Sequence, residues 1–353
     1  MSARRTELHF HIPAPDEAAA AAARARWDSL AKPLGSLGLL EDAIVQIAAL
    51  TGSADVSLKP RTLLVFCADN GVVAQGVSQC GCEVTAAVAA AVSQGRSAAC
   101  QMALLADCTV QAIDIGMKEP TPQCVTDCSI LRGTNDITQG PAMTRQQCLS
   151  AIRAGASLAG EQARAGVKLL AVGEMGIGNT TTASAVTAAL LGVPVETVAG
   201  RGAGLSDEGL RRKRRAIETA LRLNTPDADD PVDVLTKVGG LDLAAMCGAF
   251  LGAAQARLPV LIDGFVSAAA ALCAVRLCPE AAPAMLACHV SAEPAGRLLL
   301  EALGKRALID AGLRLGEGSG AVAAMPLLDM ALAVYSAGET FSDRGIEPYI
   351  KLS

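Results

Sequence analysis

The chain has 353 residues, with 30 Lys and Arg against 35 Asp and Glu, and a formal charge of −5 at pH 7. That length allows one long domain or a core with a satellite, and the acidic balance leaves no basic excess to hold nucleic acid. Apolar residues make up 51%, yet only five Phe, two Tyr and one Trp occur, so the interior must be built from Ala, Val, Leu and Ile, with glycines allowing close backbone approach.

The N-terminal run from Met1 to His9 carries Arg and Glu and has no apolar stretch before Pro13, so neither a signal peptide nor an anchor is expected. The charge-free run from Met175 to Val195 opens on glycines and threonines and contains Pro194, whereas a membrane span needs about 20 mostly apolar residues. The expectation is a cytoplasmic protein with no membrane contact. Residues 15–50 read as two helices split by Lys32-Pro-Leu-Gly-Ser-Leu-Gly38, and residues 321–336 read as a third. Residues 1–58 and 321–353 are therefore expected to form a small helical lobe beside a large domain of residues 59–320.

Between residues 60 and 320, short β-rich runs alternate with Ala-rich stretches of helical character, the pattern of a parallel sheet with helices on both faces. The expected strands are Thr62–Ala68, Thr109–Ile113, Lys168–Val172, Val260–Ile262 and Met285–His289. Each is followed by a polar turn: Asp69-Asn70-Gly71, Asp114-Ile-Gly116, Gly173-Glu174, Asp263-Gly264 and His289-Val-Ser291. Open α/β sheets bind ligands beyond the carboxyl ends of their strands, which puts these turns around one crevice.

Three glycine clusters could carry chemistry there. In Gly173-Glu174-Met175-Gly176-Ile177-Gly178-Asn179-Thr180, the glycines permit a tight turn and the following helix would present N–H groups to an anion, although threonine helix caps explain the pattern equally well. It matches neither the dinucleotide fingerprint nor the Walker A loop. Gly200-Arg201-Gly202-Ala203-Gly204 precedes Arg211-Arg-Lys-Arg-Arg215, which reads either as a solvated basic face or as a helix turning one lysine inward. In Leu315-Gly316-Glu317-Gly318-Ser319-Gly320, the glycines flanking Glu317 leave its carboxylate open to a ligand. With Glu174 in a similar setting, two carboxylates in one crevice can have their pKa values pushed apart. His9 and His11 read as surface residues, and His289 as either packed or lining the crevice. The twelve cysteines scatter through apolar runs and read as reduced thiols, and no pair has the spacing of a zinc site.

Taken in order, Lys32–Gly38, Cys67–Asp69, Gly76–Ser78 with Val84-Thr85, Gly140–Met143, Gly173–Thr181, Val238–Gly240 with Asp242, Val260–Phe265, Ser291–Glu293 and Leu315–Gly320 closely resemble the nicotinate-nucleotide:dimethylbenzimidazole phosphoribosyltransferases over nearly the full chain. The resemblance implies a Rossmann-like α/β domain, a small lobe from both chain ends and a homodimer. It also implies transfer of the phosphoribosyl group of nicotinate mononucleotide to a benzimidazole-type base, with no metal and no cofactor. By position, Glu317 matches the base and Glu174 its partner. Gly176, Gly178, Asn179, Thr180, Gly202, Gly204, Lys213, Asp263, Ser291, Gly316, Gly318, Ser319 and Gly320 match the nucleotide and phosphate site. Ser78, Cys80, Met175 and Leu315, with the segment from Ser78 to Gln94, match the base site. The chain departs from the family at Asn70, where a histidine is common, and at Cys80 and Cys82, where larger or prolyl residues are expected, which predicts a widened range of bases. The alternatives are a non-catalytic nucleotide- or base-binding paralogue or heterodimer subunit, which the retained Glu317 and glycine loops oppose, and a nicotinamide-dependent oxidoreductase, which the missing fingerprint opposes.

Overall fold

The computed structural model of the protein describes residues 8–350. The expectations placed on residues 1–7 and 351–353 lie outside the described residues. Helices α1 (Glu17–Ser29) and α2 (Leu39–Thr51) precede strand β1 (Arg61–Ala68), which is followed by α3 (Glu83–Ser93), α4 (Ala98–Leu105), β2 (Thr109–Gly116), β3 (Thr126–Asp127) and α5 (Arg145–Arg164). The chain continues through β4 (Leu169–Met175), α6 (Asn179–Leu191), α7 (Val195–Val198), α8 (Asp207–Asn224), α9 (Pro231–Val238) and α10 (Leu241–Gln255). It ends with β5 (Val260–Ile262), α11 (Phe265–Leu277), β6 (Met285–Ala287), α12 (Gly296–Ala302) and α13 (Ser319–Ala337).

Among the described residues, the six strands form one sheet in the order β3-β2-β1-β4-β5-β6, and every pairing is parallel. All eight residues of β1 are buried, as expected of a strand covered on both faces. Leu64, Phe66 and Ala68 face a core built with α5, α6 and α8 to α11, while Leu63, Val65 and Cys67 face a second core built with α1 to α4 and α13. The chain runs outward from β1 to β3, then returns to lay β4 against the other side of β1. That reversal splays the connections apart and opens a crevice at the carboxyl ends of β1 and β4.

Two strands run on past their expected ends. β4 includes Gly173, Glu174 and Met175, because Val65, Phe66 and Cys67 of β1 continue the ladder beside them; the glycine that reads as a turn is a strand residue. β2 runs on to Gly116 beside Ala68. β6 stops at Ala287, and His289 makes only an isolated bridge to Ile309. The two-residue β3 is too short to leave a periodic trace in the sequence.

The scarcity of aromatics is answered by backbone contact. In α10 every residue from Leu241 to Ala254 is buried, and the helix crosses α5 at glycines. A Cβ on Gly155 would lie 1.8 Å from the Ala245 carbonyl oxygen, and one on Gly248 1.8 Å from that of Ile152. At the opposite edge, Trp27 of α1 tilts against Tyr335 of α13 with ring centroids 5.1 Å apart. The Ala31 and Phe341 N–H groups bond to Glu339 and Ser29 carbonyls, so the two chain ends are stitched together. Helix α13 is long and apolar enough to cross a membrane by length and composition, but one side of it, including Met325, Leu328 and Ala331, is buried in the second core.

Candidate functional site

A cavity of about 320 Å³ opens at the strand ends where the sheet reverses. A larger hollow of about 580 Å³, bordered by Trp27, Glu41 and Tyr349, lies away from the strand ends, so size alone does not pick out the site. The smaller cavity gathers residues from β4, the start of α6, the β5 end and the loop before α13. Among the residues expected to act, Glu317, Glu174, Gly176, Asn179, Thr180, Gly202, Asp263, Ser291, Gly316, Cys80, Met175 and Leu315 line it.

The acidic end is built on the last residues of β4 and the turn into α13. Gly316, Glu317 and Gly318 all have left-handed backbones, with φ of 87°, 58° and 81°. For a residue with a Cβ this costs roughly 1–2 kcal/mol, and the turn is held by the Glu317 N–H donating to the Glu174 carbonyl at 3.2 Å. Gly318 fits because its backbone lies against Gly173: a Cβ on Gly173 would stand 2.4 Å from the Gly318 nitrogen. The Glu317 carboxylate accepts the Ala99 N–H of α4 at 3.4 Å, which tethers it at the cavity wall.

Glu174 receives a hydrogen bond from the Asn179 amide. Its pKa is raised well above the usual carboxylate range, first by burial and then by the charges of Asp242, Asp263 and Glu317, with the Asn179 bond opposing them. Asp242, at the start of α10, is fully buried. Burial pushes it up to about 6, while its own backbone contacts and the Asn179 and Asn70 amides pull it back. Its Oδ2 makes no hydrogen bond among the described residues. Sequence reasoning gave Asp242 no role; the available signal was a lone carboxylate in the otherwise uncharged run from Leu241 to Ala254.

A second corner of the cavity is backed by a buried lysine. Of Arg211, Arg212, Lys213, Arg214 and Arg215, only the lysine turns fully inward, and its Nζ donates to Thr180 Oγ1 at 2.8 Å. Desolvation lowers its pKa to about 8, with the nearby Glu293 acting in the other direction. Thr180 belongs to the first turn of α6, whose N-cap is Gly178 at φ 92° with no side-chain cap. Threonine capping therefore does not explain this cluster; the Asn179 N–H donates to the Gly176 carbonyl at 3.2 Å and the Thr181 and Thr182 N–H groups to that of Gly178 at 2.9 and 3.4 Å, which places Thr180 at the cavity wall. Gly202 completes this corner, since a Cβ there would lie 2.8 Å from Thr180 Oγ1 and 3.6 Å from Lys213 Nζ.

The remaining expected residues lie outside the lining. Gly178 packs on Val73 and Asn70, and Gly320 on the His289 ring. Gly318 and Ser319 form the buried start of α13 behind Glu317. Gly204 accepts the Gln79 amide, and Ser78 sits beside Cys80 at 3.7 Å between hydroxyl and thiol. Asp263 directs both carboxylate oxygens at the α13 N-terminus. His289 is both packed and cavity-lining: it is buried, with Nδ1 3.9 Å from Asp263 Oδ1.

The apolar wall comes from Cys80, Val84, Val88, Met175 and Leu315. Two residues expected to reshape it do not reach it. Asn70 is buried beneath the site, accepting from the Thr182 hydroxyl at 3.2 Å. Cys82 stands at the start of α3 near Asp69. Among the departures from the family pattern, Cys80 alone faces the cavity. All twelve cysteines are free thiols, and among the described residues no cluster of His, Cys, Asp or Glu is arranged to hold a metal ion.

The profile of a family described as a phosphoribosyltransferase (DBI_PRT) matches residues 12–346. The nicotinate-nucleotide–dimethylbenzimidazole phosphoribosyltransferase of Acetivibrio thermocellus is 45% identical over 325 residues, covering 92% of this chain and 93% of its own. That of Geobacter sulfurreducens is 40% identical over 344 residues and covers 97% of both. The crystal structure of CobT from Thermus thermophilus has the same fold, with a TM-score of 0.89 at 42% identity over 94% of this chain and 100% of that one.

Proposed function

Because the chain belongs to the nicotinate-nucleotide–dimethylbenzimidazole phosphoribosyltransferase family, we infer that it transfers the phosphoribosyl group of nicotinate mononucleotide to a benzimidazole-type base, releasing nicotinate and an α-ribazole 5′-phosphate for the cobalamin nucleotide loop. One nitrogen of the base attacks the anomeric carbon with inversion, and the bond electrons of the departing nicotinate return to its cationic ring nitrogen. Little leaving-group acid is needed. The other base nitrogen must lose its proton, and Glu317 at the cavity wall is the group we assign to take it.

The observation that carries this assignment is the polarity of the cavity. Glu317 and Glu174 line it where β4 meets the turn into α13, and Thr180 and Gly202 line a second corner that the buried Lys213 reaches from behind through Thr180. That spacing suits a nucleotide with its phosphate on Lys213, Thr180, Gly202 and Ser291 and its sugar over Glu174. A cationic pyridinium or sugar arriving beside Glu174 lowers its pKa and draws out the carboxylate form, which stabilises positive charge developing at the anomeric carbon. The base then lies against Cys80, Val84, Val88, Met175 and Leu315. The test is product analysis with nicotinate mononucleotide and a mixture of benzimidazoles, purine and phenol. Nicotinate release in a single turnover supports the reading, and binding without release would make the chain a non-catalytic relative.

The chain ends do not stand apart as a lobe, since α1, α2 and α13 share one core with Leu63, Val65 and Leu169 of the sheet; we further propose that the enzyme works in the cytoplasm where its charged nucleotide substrate is held, and that two copies pair. Leu104 and Leu105 of α4 and Met330 and Val334 of α13 are exposed on helices packed together beside Glu317, an apolar surface a second copy would cover. Sedimentation at twice the 35.8 kDa chain mass, lost in Leu105→Glu, is the expected result; a monomer at micromolar concentration would refute it.

A further inference from the structure

Helix α13 carries Glu317 just before its first turn, yet its N-cap is Gly318, which has no side chain to accept the first N–H groups. A cap comes instead from another strand. Asp263, the residue after β5, is buried; its Oδ1 accepts the N–H groups of Gly320 at 2.7 Å and Ala321 at 3.0 Å, and its Oδ2 accepts that of Gly318 at 3.2 Å. His289 closes the same corner: its ring lies so near Gly320 that a Cβ there would be 1.8 Å from Nδ1. The left-handed Glu317 is thus fixed on both sides, by the Glu174 carbonyl before it and by Asp263 after it.

We infer that Asp263 is a positioning residue that acts on the reaction through Glu317, capping α13 from the neighbouring strand and holding the Gly316–Gly318 turn in its left-handed form. This rests on the reading of Glu317 as the base. It also reassigns Asp263, which by family position would touch the nucleotide, because three of the roughly four acceptor sites of its carboxylate are spent on backbone N–H groups.

The test is a double-mutant cycle with nucleotide binding measured separately by calorimetry in the absence of base. In Asp263→Asn one carboxylate oxygen becomes an amide NH2 that faces a backbone donor, so the cap loses its charge and at least one of its three bonds. The expected result is a kcat lowered on the order of 10²-fold, the scale of an approximately 1 Å misplacement, with the Kd for nicotinate mononucleotide changed less than about threefold. In a Glu317→Gln background, Asp263→Asn should cause no further loss. Should Asp263→Asn fail to fold, Asp263→Glu, which keeps the charge but displaces it by a methylene, takes its place in the same cycle. A Kd that rises in step with the loss of kcat would make Asp263 a nucleotide contact, and additive losses would make it independent of Glu317; either overturns the inference and leaves the base assignment intact. A Glu317→Gln enzyme with normal turnover overturns the base assignment and the inference with it.

Discussion

A buried lysine is costly unless something gives its charge a purpose. Lys213 sits near pKa 8 because it is desolvated, so above that pH the free enzyme presents a neutral amine, and a phosphate dianion must restore the proton on binding. Affinity for nicotinate mononucleotide should therefore fall as pH rises past about 8, with proton uptake on binding in that range. Lys213→Ala should weaken binding by about 1.5–3 kcal/mol and flatten the pH dependence, while binding of the nucleoside without phosphate stays unchanged; calorimetry in buffers of different ionisation enthalpy reads all three. Asp242 makes the opposite case. Its folded pKa near 6 exceeds its ordinary 3.8, so the folded state binds the extra proton between those values and stability falls as pH rises through the window. Above pH 6 the penalty is on the order of 3 kcal/mol. Asp242→Asn should raise the urea midpoint at pH 8 and lose that advantage near pH 4; an unchanged midpoint at pH 8 would mean the carboxylate is not charged there. Keeping so costly a group beneath Glu174 is what a functional site does at the expense of stability. The inward turn of Lys213 was one of two readings the basic run allowed, because sequence order places five cations on a helix without saying which meets the core. Glu317 was more legible, since paired glycines around a lone carboxylate have few other uses.

At the scale of elements, the α5 and α10 crossing turns glycine content into packing. Gly248→Ala would drive a methyl group into the Ile152 carbonyl, and overpacking of this kind costs about 1–3 kcal/mol. Gly160, also on α5, has nothing within 4 Å of its missing Cβ, so Gly160→Ala should stabilise by about 0.5–1 kcal/mol through helix propensity alone. Urea titration of the pair distinguishes contact from propensity, and equal shifts of the same sign would refute the crossing geometry. The strand cores at Arg61–Ala68 and Val260–Ile262 were legible because runs of Val, Ile and Leu bounded by acidic turns have few other readings. The end of β4 was not, because Gly173 is a turn former by propensity and is kept in the strand only by the neighbour β1, a long-range fact. Asn70 and Cys82 were misplaced for a related reason: adjacency in a loop does not reveal which side chains the loop turns toward the cavity.

For the whole molecule, the reversal of strand order between β1 and β4 sets where the two cores meet the site. Lys213 belongs to the layer of α8 on one side of the sheet, and Glu317 to the layer of α13 on the other. Phosphate anchor and base are thus mounted on separate layers, and the sheet between them fixes their separation. Helix α13 adds a mechanical dimension. It stays helical on both sides of Pro326, whose missing N–H removes one bond from the ladder, and from Ser319 to Tyr335, which packs on Trp27, it spans ~24 Å at 1.5 Å per residue. It is a lever arm: a tilt of about one degree at the Tyr335 end swings the other by roughly 0.4 Å, a distance to which proton transfer is sensitive. Trp27→Leu should therefore lower kcat several-fold while leaving the Kd for nicotinate mononucleotide unchanged, and a variant that loses thermal stability but keeps full turnover would break the linkage. The far edge of the protein, with no substrate near it, then holds the trim of the active site.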